Sequence, residues 1–232
     1  MPPATTDPGA GLLARLLQLA GPTLSLRAPV LADGLEWAVD AGRVQDARSL
    51  KEWLLDGLFE GSARLEAAVL VRVYDAIRSG DRAWAERWDD WLTAARETEQ
   101  MRIRSLEAGY ALMRLLADLE PGVQEARVWL ARSCNFASAF AIAAADWAIP
   151  RAAAATAYLQ CWASNLVGAG ARFLPLGHTA GPQLLWDLRA PLREASELAA
   201  GAVDDDLGVA NWGLALASVA YETPYSRPSR SE

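Results

Sequence analysis

Leu12, Leu13, Leu16, Leu17 and Leu19 recur at the spacing of a helix face as far as Ala20, where Gly21-Pro22 stops the pattern. Residues 22–30 hold two prolines and read as a connecting loop. A short helix near Leu31–Ala41 follows, which Gly42 can cap at its C-terminal end. The segment Ala47–Arg78 carries helical periodicity interrupted near Gly61-Ser62, which predicts two helices. Gly80-Asp81 marks the next start, where the aspartate can accept hydrogen bonds from unpaired amides. Trp84, Trp88, Trp91, Leu92 and Ala95 then share one face. Three indoles at these intervals read as core rather than as a ligand cage, because each buries a large area. The pattern continues as a longer helix toward Leu116, ended by Pro121-Gly122.

Val123–Trp147, Pro150–Phe173 and Gly181–Ala200 predict three further helices, the first two rich in alanine, serine and glycine. Small side chains let helix axes approach closely. Ala137, Ala141, Ala144 and Ala145, with Ala163, Gly168 and Gly170, therefore predict a tight central crossing. Asp204, Asp205 and Asp206 open a last helix, Leu207–Tyr221, at the end where the helix dipole favours carboxylates. Beyond it, Pro224 and Pro228 force extended or turned backbone, so residues 222–232 read either as a free end or as a peptide offered to a partner. Strand formers are scarce and no useful alternating run occurs. The predicted class is all-α: a compact single-domain multi-helix bundle with short loops and a flexible C-terminal tail. Its parts are a leader (1–11), a helical domain (12–221) and the tail (222–232).

Composition narrows the function. The 232 residues are 52% hydrophobic, ample for a core, and carry a formal charge of −7, which disfavours binding to phosphate backbones; no nucleic-acid partner is expected. Cys134 and Cys161, in alanine-rich helical segments, read as small buried hydrophobes in a reducing compartment. No secretory leader is visible, and the purest apolar run, Ala139–Ala145, ends at Asp146, far short of a membrane span. The expected location is the cytoplasm, without membrane insertion.

Candidate chemistry is sparse. His178 is the sole histidine, which removes paired-histidine metal sites; following Pro175-Leu176-Gly177, it reads as a polar contact at a helix start. The sole lysine, Lys51, follows Leu50 with no glycine-rich turn, so no phosphate-cradling loop exists. Gly168-Ala169-Gly170 lies within a helix with no strand before it, unlike a dinucleotide-binding turn. No catalytic or metal-binding residue is assigned, and an interaction protein rather than an enzyme is expected.

Four ordered segments carry a resemblance: Gly34-Leu35-Glu36-Trp37-Ala38-Val39-Asp40-Ala41-Gly42, Arg96-Glu97-Thr98, Arg172-Phe173-Leu174-Pro175-Leu176-Gly177, and Glu222-Thr223-Pro224-Tyr225-Ser226-Arg227. Together, from about Leu12 to Ser231, they resemble the urease accessory protein UreF family. The resemblance implies an all-α, usually dimeric scaffold that binds the accessory protein UreD (also called UreH), recruits the GTPase UreG and helps load nickel into apo-urease. It implies no cofactor on this chain, nickel and GTP belonging to the partner proteins, and a homodimer. Glu36, Arg96, Glu97, Arg172, Glu222, Tyr225, Arg227 and Arg230 are the implied partner-binding residues. Arg172 stands where the family usually has lysine; its plainer reading is a solvated helix end.

The chain also departs from the family pattern. Ser25-Leu26-Arg27-Ala28-Pro29-Val30-Leu31-Ala32 lacks the two glycines and the aromatic residue that precede the Gly-Leu-Glu segment, Ile103-Arg104-Ser105 replaces an acid-rich stretch, and Pro228-Ser229 replaces a Leu-Phe pair in the tail. These departures admit an alternative: a divergent relative that keeps the fold with a changed partner, or with a small-ligand role outside urease maturation.

Overall fold

In the computed structural model, which describes residues 8–21, 34–96, 98–119, 124–204 and 207, the regular elements are all helices. They run α1 (Pro8–Leu19), α2 (Leu35–Asp40), α3 (Ala47–Phe59), α4 (Ser62–Ser79), α5 (Arg82–Ala95), α6 (Glu99–Leu119), α7 (Gln124–Arg132), α8 (Phe136–Asp146), α9 (Arg151–Phe173), α10 (Ala180–Asp187) and α11 (Arg189–Gly201). The all-α class expected from periodicity is what forms. The tail and the segment 208–221 lie outside the described residues, as do the loop 22–30 and residues 31–33.

Helix α4 lies at the centre, packed by α3, α5, α8, α9 and α11. Leu65, Ala67, Ala68, Val69, Leu70, Val71 and Val73 are all buried, because neighbouring helices surround the largely apolar central turns, while Asp75, Arg78 and Ser79 toward the C-terminus are exposed. Its ends follow the punctuation: Gly61 precedes Ser62, and Gly80 (φ 77) closes the C-terminus. Asp81 then starts α5 by accepting from the Trp84 amide at 3.0 Å. Helix α8 lies alongside, and Phe136 through Ala145 are buried without exception.

The small residues are buried as expected, except Gly168, but the close approaches at glycine join α9 to α3 rather than to α8. Ala137, Ala141, Ala144, Ala145 and Ala163 are buried, and a Cβ on Gly170 would lie 2.7 Å from Leu50 Cδ2. Gly57 is a further contact of this kind, with Trp162 Cη2 2.6 Å from where its Cβ would stand. Gly168, however, is exposed and faces open space, so it takes no part in the crossing.

Three predicted helices are interrupted. The run from α5 toward Leu116 breaks at Arg96, whose backbone is extended (ψ 129). Val123–Trp147 divides into α7 and α8 around Ser133, which holds a left-handed φ of 63, and extended Asn135 (ψ 153). Gly181–Ala200 divides at Leu188, and Pro191, lacking an amide hydrogen, cannot donate to the turn before it. The tryptophan face of α5 is also uneven: Trp88 and Leu92 are buried, Trp91 is half-buried and Trp84 is 37% exposed. Trp84 and Trp91 pack edge-on against Trp88 at 5.9 and 5.6 Å, and the Arg72 guanidinium lies 4.7 Å from the Trp88 ring centroid.

Helix α3 begins with a reciprocal cap. Asp46 accepts from the Ser49 amide at 2.8 Å and Ser49 Oγ accepts from the Asp46 amide at 3.1 Å. The amide and then the hydroxyl of Ser49 hold the Asp46 carboxyl below the ordinary carboxylate value of 3.8. A carboxyl depressed in the folded state stabilises above its unfolded pKa, and that contribution fades as pH falls through the folded one. Asp46→Ala is therefore expected to lower the urea midpoint at about pH 7, with the gap to wild type closing toward about pH 3. An equal gap at both pH values would contradict a cap that depends on the charged carboxylate.

Candidate functional site

The described residues singled out from sequence fall in two settings. The first is interior. Arg96, the residue that ends α5, is 6% exposed, and its Nη2 donates to Glu66 Oε1 of α4 at 2.7 Å and to Ser105 Oγ of α6 at 2.8 Å. Its Nε donates to Asn135 Oδ1 at 3.3 Å. Glu66 is 1% exposed, and its other oxygen accepts from the Tyr158 hydroxyl of α9. Both charges are thus paired and hydrogen-bonded, the condition under which burial of ions is tolerable.

Asn135 extends the network. Its amide donates to Asp89 Oδ1 at 2.9 Å, and its side-chain nitrogen donates to Asp89 Oδ1 at 3.0 Å and Thr93 Oγ1 at 2.7 Å. Ser105 Oγ also accepts from the Phe136 amide at 3.3 Å, meeting one of the unpaired donors at the start of α8. Arg132 Nη2 lies 3.7 Å from Asp89 Oδ2. Thr98 caps α6 by accepting from the Met101 amide at 3.2 Å, while Arg102 donates to the Arg96 carbonyl at 3.2 Å. Five helices and the α7–α8 junction therefore meet at one polar knot. Arg96 serves the interior here, and its guanidinium is not presented at the surface.

The second place is superficial. Arg172 is exposed in the last turn of α9, followed by Phe173, which is 41% exposed. The chain then turns through exposed His178 into α10. Helix α10 carries Trp186, 62% exposed, with the Arg189 guanidinium 3.3 Å from its ring centroid. Lys51 pairs with Asp187 at 2.9 Å, and this bond together with that from Gln183 lowers the Asp187 carboxyl below its ordinary range. Helix α2 packs against α9 and holds half-buried Glu36 in its first turn, with Leu35 and Ala38 facing inward. Glu97, Glu222, Tyr225, Arg227 and Arg230 lie outside the described residues.

Sequence reading missed Glu66, Asp89, Asn135, Ser105 and Tyr158. A signal existed for Glu66, the one carboxylate within the apolar run Leu65–Val71. Asn135 and Asp89 stand 46 positions apart in segments with ordinary helical polarity, and only the fold joins them. Among the described residues no three His, Cys, Asp or Glu side chains gather as metal ligands. Burial, and then the nearby Asp89 charge, pushes the Cys134 thiol upward, so it stays protonated and a poor nucleophile. No helix among the described residues is long and apolar enough to cross a membrane.

Residues 44–189 match the family model described as UreF. The chain is similar to the urease accessory protein UreF of Trichormus variabilis, 41% identical over 216 residues covering 93% of this chain and 94% of the relative. The UreF of Microcystis aeruginosa is 43% identical over 216 residues, covering 93% and 96%. That of an Azoarcus species is 39% identical over 234 residues, covering 98% and 100%.

Proposed function

The chain belongs to the urease accessory protein UreF family, and on that premise we propose that it serves urease maturation as a scaffold binding a UreD- or UreH-like protein and recruiting a UreG-like GTPase to apo-urease. The observation that carries this reading is identity of about two residues in five along nearly the full length of both chains. In this reading the chain performs no chemistry of its own. Nickel and GTP are carried by the partner proteins, the scaffold works in the cytoplasm, and it pairs with a second copy of itself.

The exposed aromatic side chains near the end of α9 and on α10 support a contact role. Phe173 and Trp186 leave aromatic area in water, which a soluble chain ordinarily limits, and aromatic residues with arginine are the side chains that anchor interfaces. Arg172 can offer forked, charge-assisted hydrogen bonds to a partner carboxylate or carbonyl. Tyr225, Arg227 and Arg230 would add the same chemistry from the tail, with Glu36 and Glu222 supplying acceptors.

Co-purification tests the proposal directly. The tagged chain, expressed with the UreD-like and UreG-like proteins of its own source, is expected to bring down both. Recovery of neither, where another UreF brings down its own partners, would overturn the scaffold reading. Deleting residues 224–232 is expected to weaken capture of the UreD-like protein at least tenfold while leaving the far-ultraviolet helical signal and the urea midpoint unchanged. Undiminished capture would remove the tail from the interface.

A further inference from the structure

Arg72 of α4 places every nitrogen of its guanidinium on an oxygen. Nη1 donates to the Ala68 carbonyl of its own helix at 3.0 Å, Nη2 to the Ala202 carbonyl at 2.6 Å and Nε to Asp204 Oδ1 at 2.7 Å. The guanidinium also lies 4.7 Å from the Trp88 ring centroid of α5, so two helices of the body hold it in place. Ala202 and Asp204 follow α11, whose backbone turns extended at Ala202 (ψ 136). One side chain therefore straps the chain leaving α11 to α4 and α5. Leu207 continues this stretch; it is 6% exposed, and its amide donates to the Asp204 carbonyl at 3.3 Å.

The strap fixes geometry more than it adds stability. The Asp204 side chain is 54% exposed, and an ion pair open to water contributes little to folding. The guanidinium fork, however, holds a backbone carbonyl and the Asp204 carboxylate at once, which sets both the position and the direction of the chain between them. Beyond Leu207, periodicity predicts a helix over Leu207–Tyr221 that leads into the tail 222–232, and a helix carries the direction of its first turn to its far end.

We propose that Arg72 is a positioning residue for partner capture: it sets where and in what direction the C-terminal segment leaves the body, and so places Tyr225, Arg227 and Arg230 for the UreD-like protein. The proposal rests on the scaffold reading above and on the part of the tail in it. A tethered contact segment binds more tightly when its root is fixed, because less orientational freedom is lost on docking. Arg72 itself, with its side chain 11% exposed, acts through the tail and not by touching the partner.

Titration of the full chain with the purified UreD-like protein tests the strap. Arg72→Ala is expected to weaken binding about fivefold. In a chain lacking residues 224–232 the same substitution is expected to change binding less than about twofold, since a residue that acts through the tail then has nothing left to place. A purely structural role would lower binding alike in both backgrounds. Should Arg72→Ala not fold, Arg72→Lys, which keeps the charge and loses the fork, gives the same readout at about threefold. Unchanged binding by the Arg72 variant of the full chain, or an equal loss with and without residues 224–232, would overturn the proposal alone. No binding by the unsubstituted full chain would overturn the scaffold reading, and the proposal with it.

Discussion

Arg96→Ala is expected to cost about 3–5 kcal/mol of folding stability, the largest loss from any single side chain described above. The reason lies in what remains. Glu66 is 1% exposed and, among the described residues, would keep only the Tyr158 hydroxyl as a donor, with its charge otherwise uncompensated in the interior. Asn135 Oδ1 and Ser105 Oγ would each lose a donor as well. An exposed arginine pair of similar geometry, such as Arg48 with Glu52, contributes at most about 1 kcal/mol, so the prediction separates an internal strut from a surface decoration. Urea denaturation checks it, and a loss below about 1 kcal/mol would mean that water reaches Glu66. A double-mutant cycle sharpens the result: adding Glu66→Gln to Arg96→Ala should cost less than the two single losses combined, by about 1–3 kcal/mol, since neither partner is then left charged and alone.

That prediction concerns a residue the sequence presents as a partner contact, and the difference shows what a single chain can and cannot disclose. Arg96 follows Ala94-Ala95 and precedes Glu97, a polar step in an apolar helix, and such a step can point outward to a partner or inward to a buried acid. The inward choice depends on Glu66, 30 positions earlier, which no local rule connects to it. Arg172 poses the same ambiguity, and its exposed side chain fits a solvated helix end as well as a partner contact. It closes α9 with its own side chain and that of Phe173 exposed to water.

Helix boundaries divide along the same line. Where glycine or a capping side chain punctuates the chain, as at Gly61-Ser62, Gly80-Asp81 and Gly42, expected and observed ends agree within a few residues. The break at Arg96 carries no such mark, and the one at Ser133–Asn135 has no glycine, only Asn135 of a type favoured before a helix. Asn135 leaves the helix because Asp89 and Thr93 receive both its amide and its side chain, bonds whose partners sit more than 40 positions away. Local propensity favours continuation at Arg96, whereas Ser133, Cys134 and Asn135 are weak helix formers, and tertiary hydrogen bonds fix the break at both places. The uneven tryptophan face has a packing cause: periodicity fixes which side Trp84 occupies, while the depth of the neighbouring helices leaves it more exposed than Trp88.

Two glycines in long helices should respond to the same substitution with opposite signs. Alanine at Gly168, in α9, would meet nothing within 4 Å, so only backbone entropy and helix propensity change, and Gly168→Ala is expected to stabilise by about 0.5–1 kcal/mol. Alanine at Gly109, in α6, would overlap the Cys134 carbonyl oxygen and stand 2.8 Å from the carbonyl carbon of Asn135. Those atoms are backbone, and Asn135 is held by Asp89 and Thr93, so neither side can yield by rotating a side chain. An overlap of this kind costs about 3 kcal/mol against a propensity gain near 1, and the net expectation for Gly109→Ala is a loss of about 2 kcal/mol. Paired urea titrations of the two variants would show the contrast. If Gly109→Ala were as stabilising as Gly168→Ala, α6 would be free to stand off from the α7–α8 junction, and the close seat of Gly109 on the Cys134–Asn135 backbone would not exist.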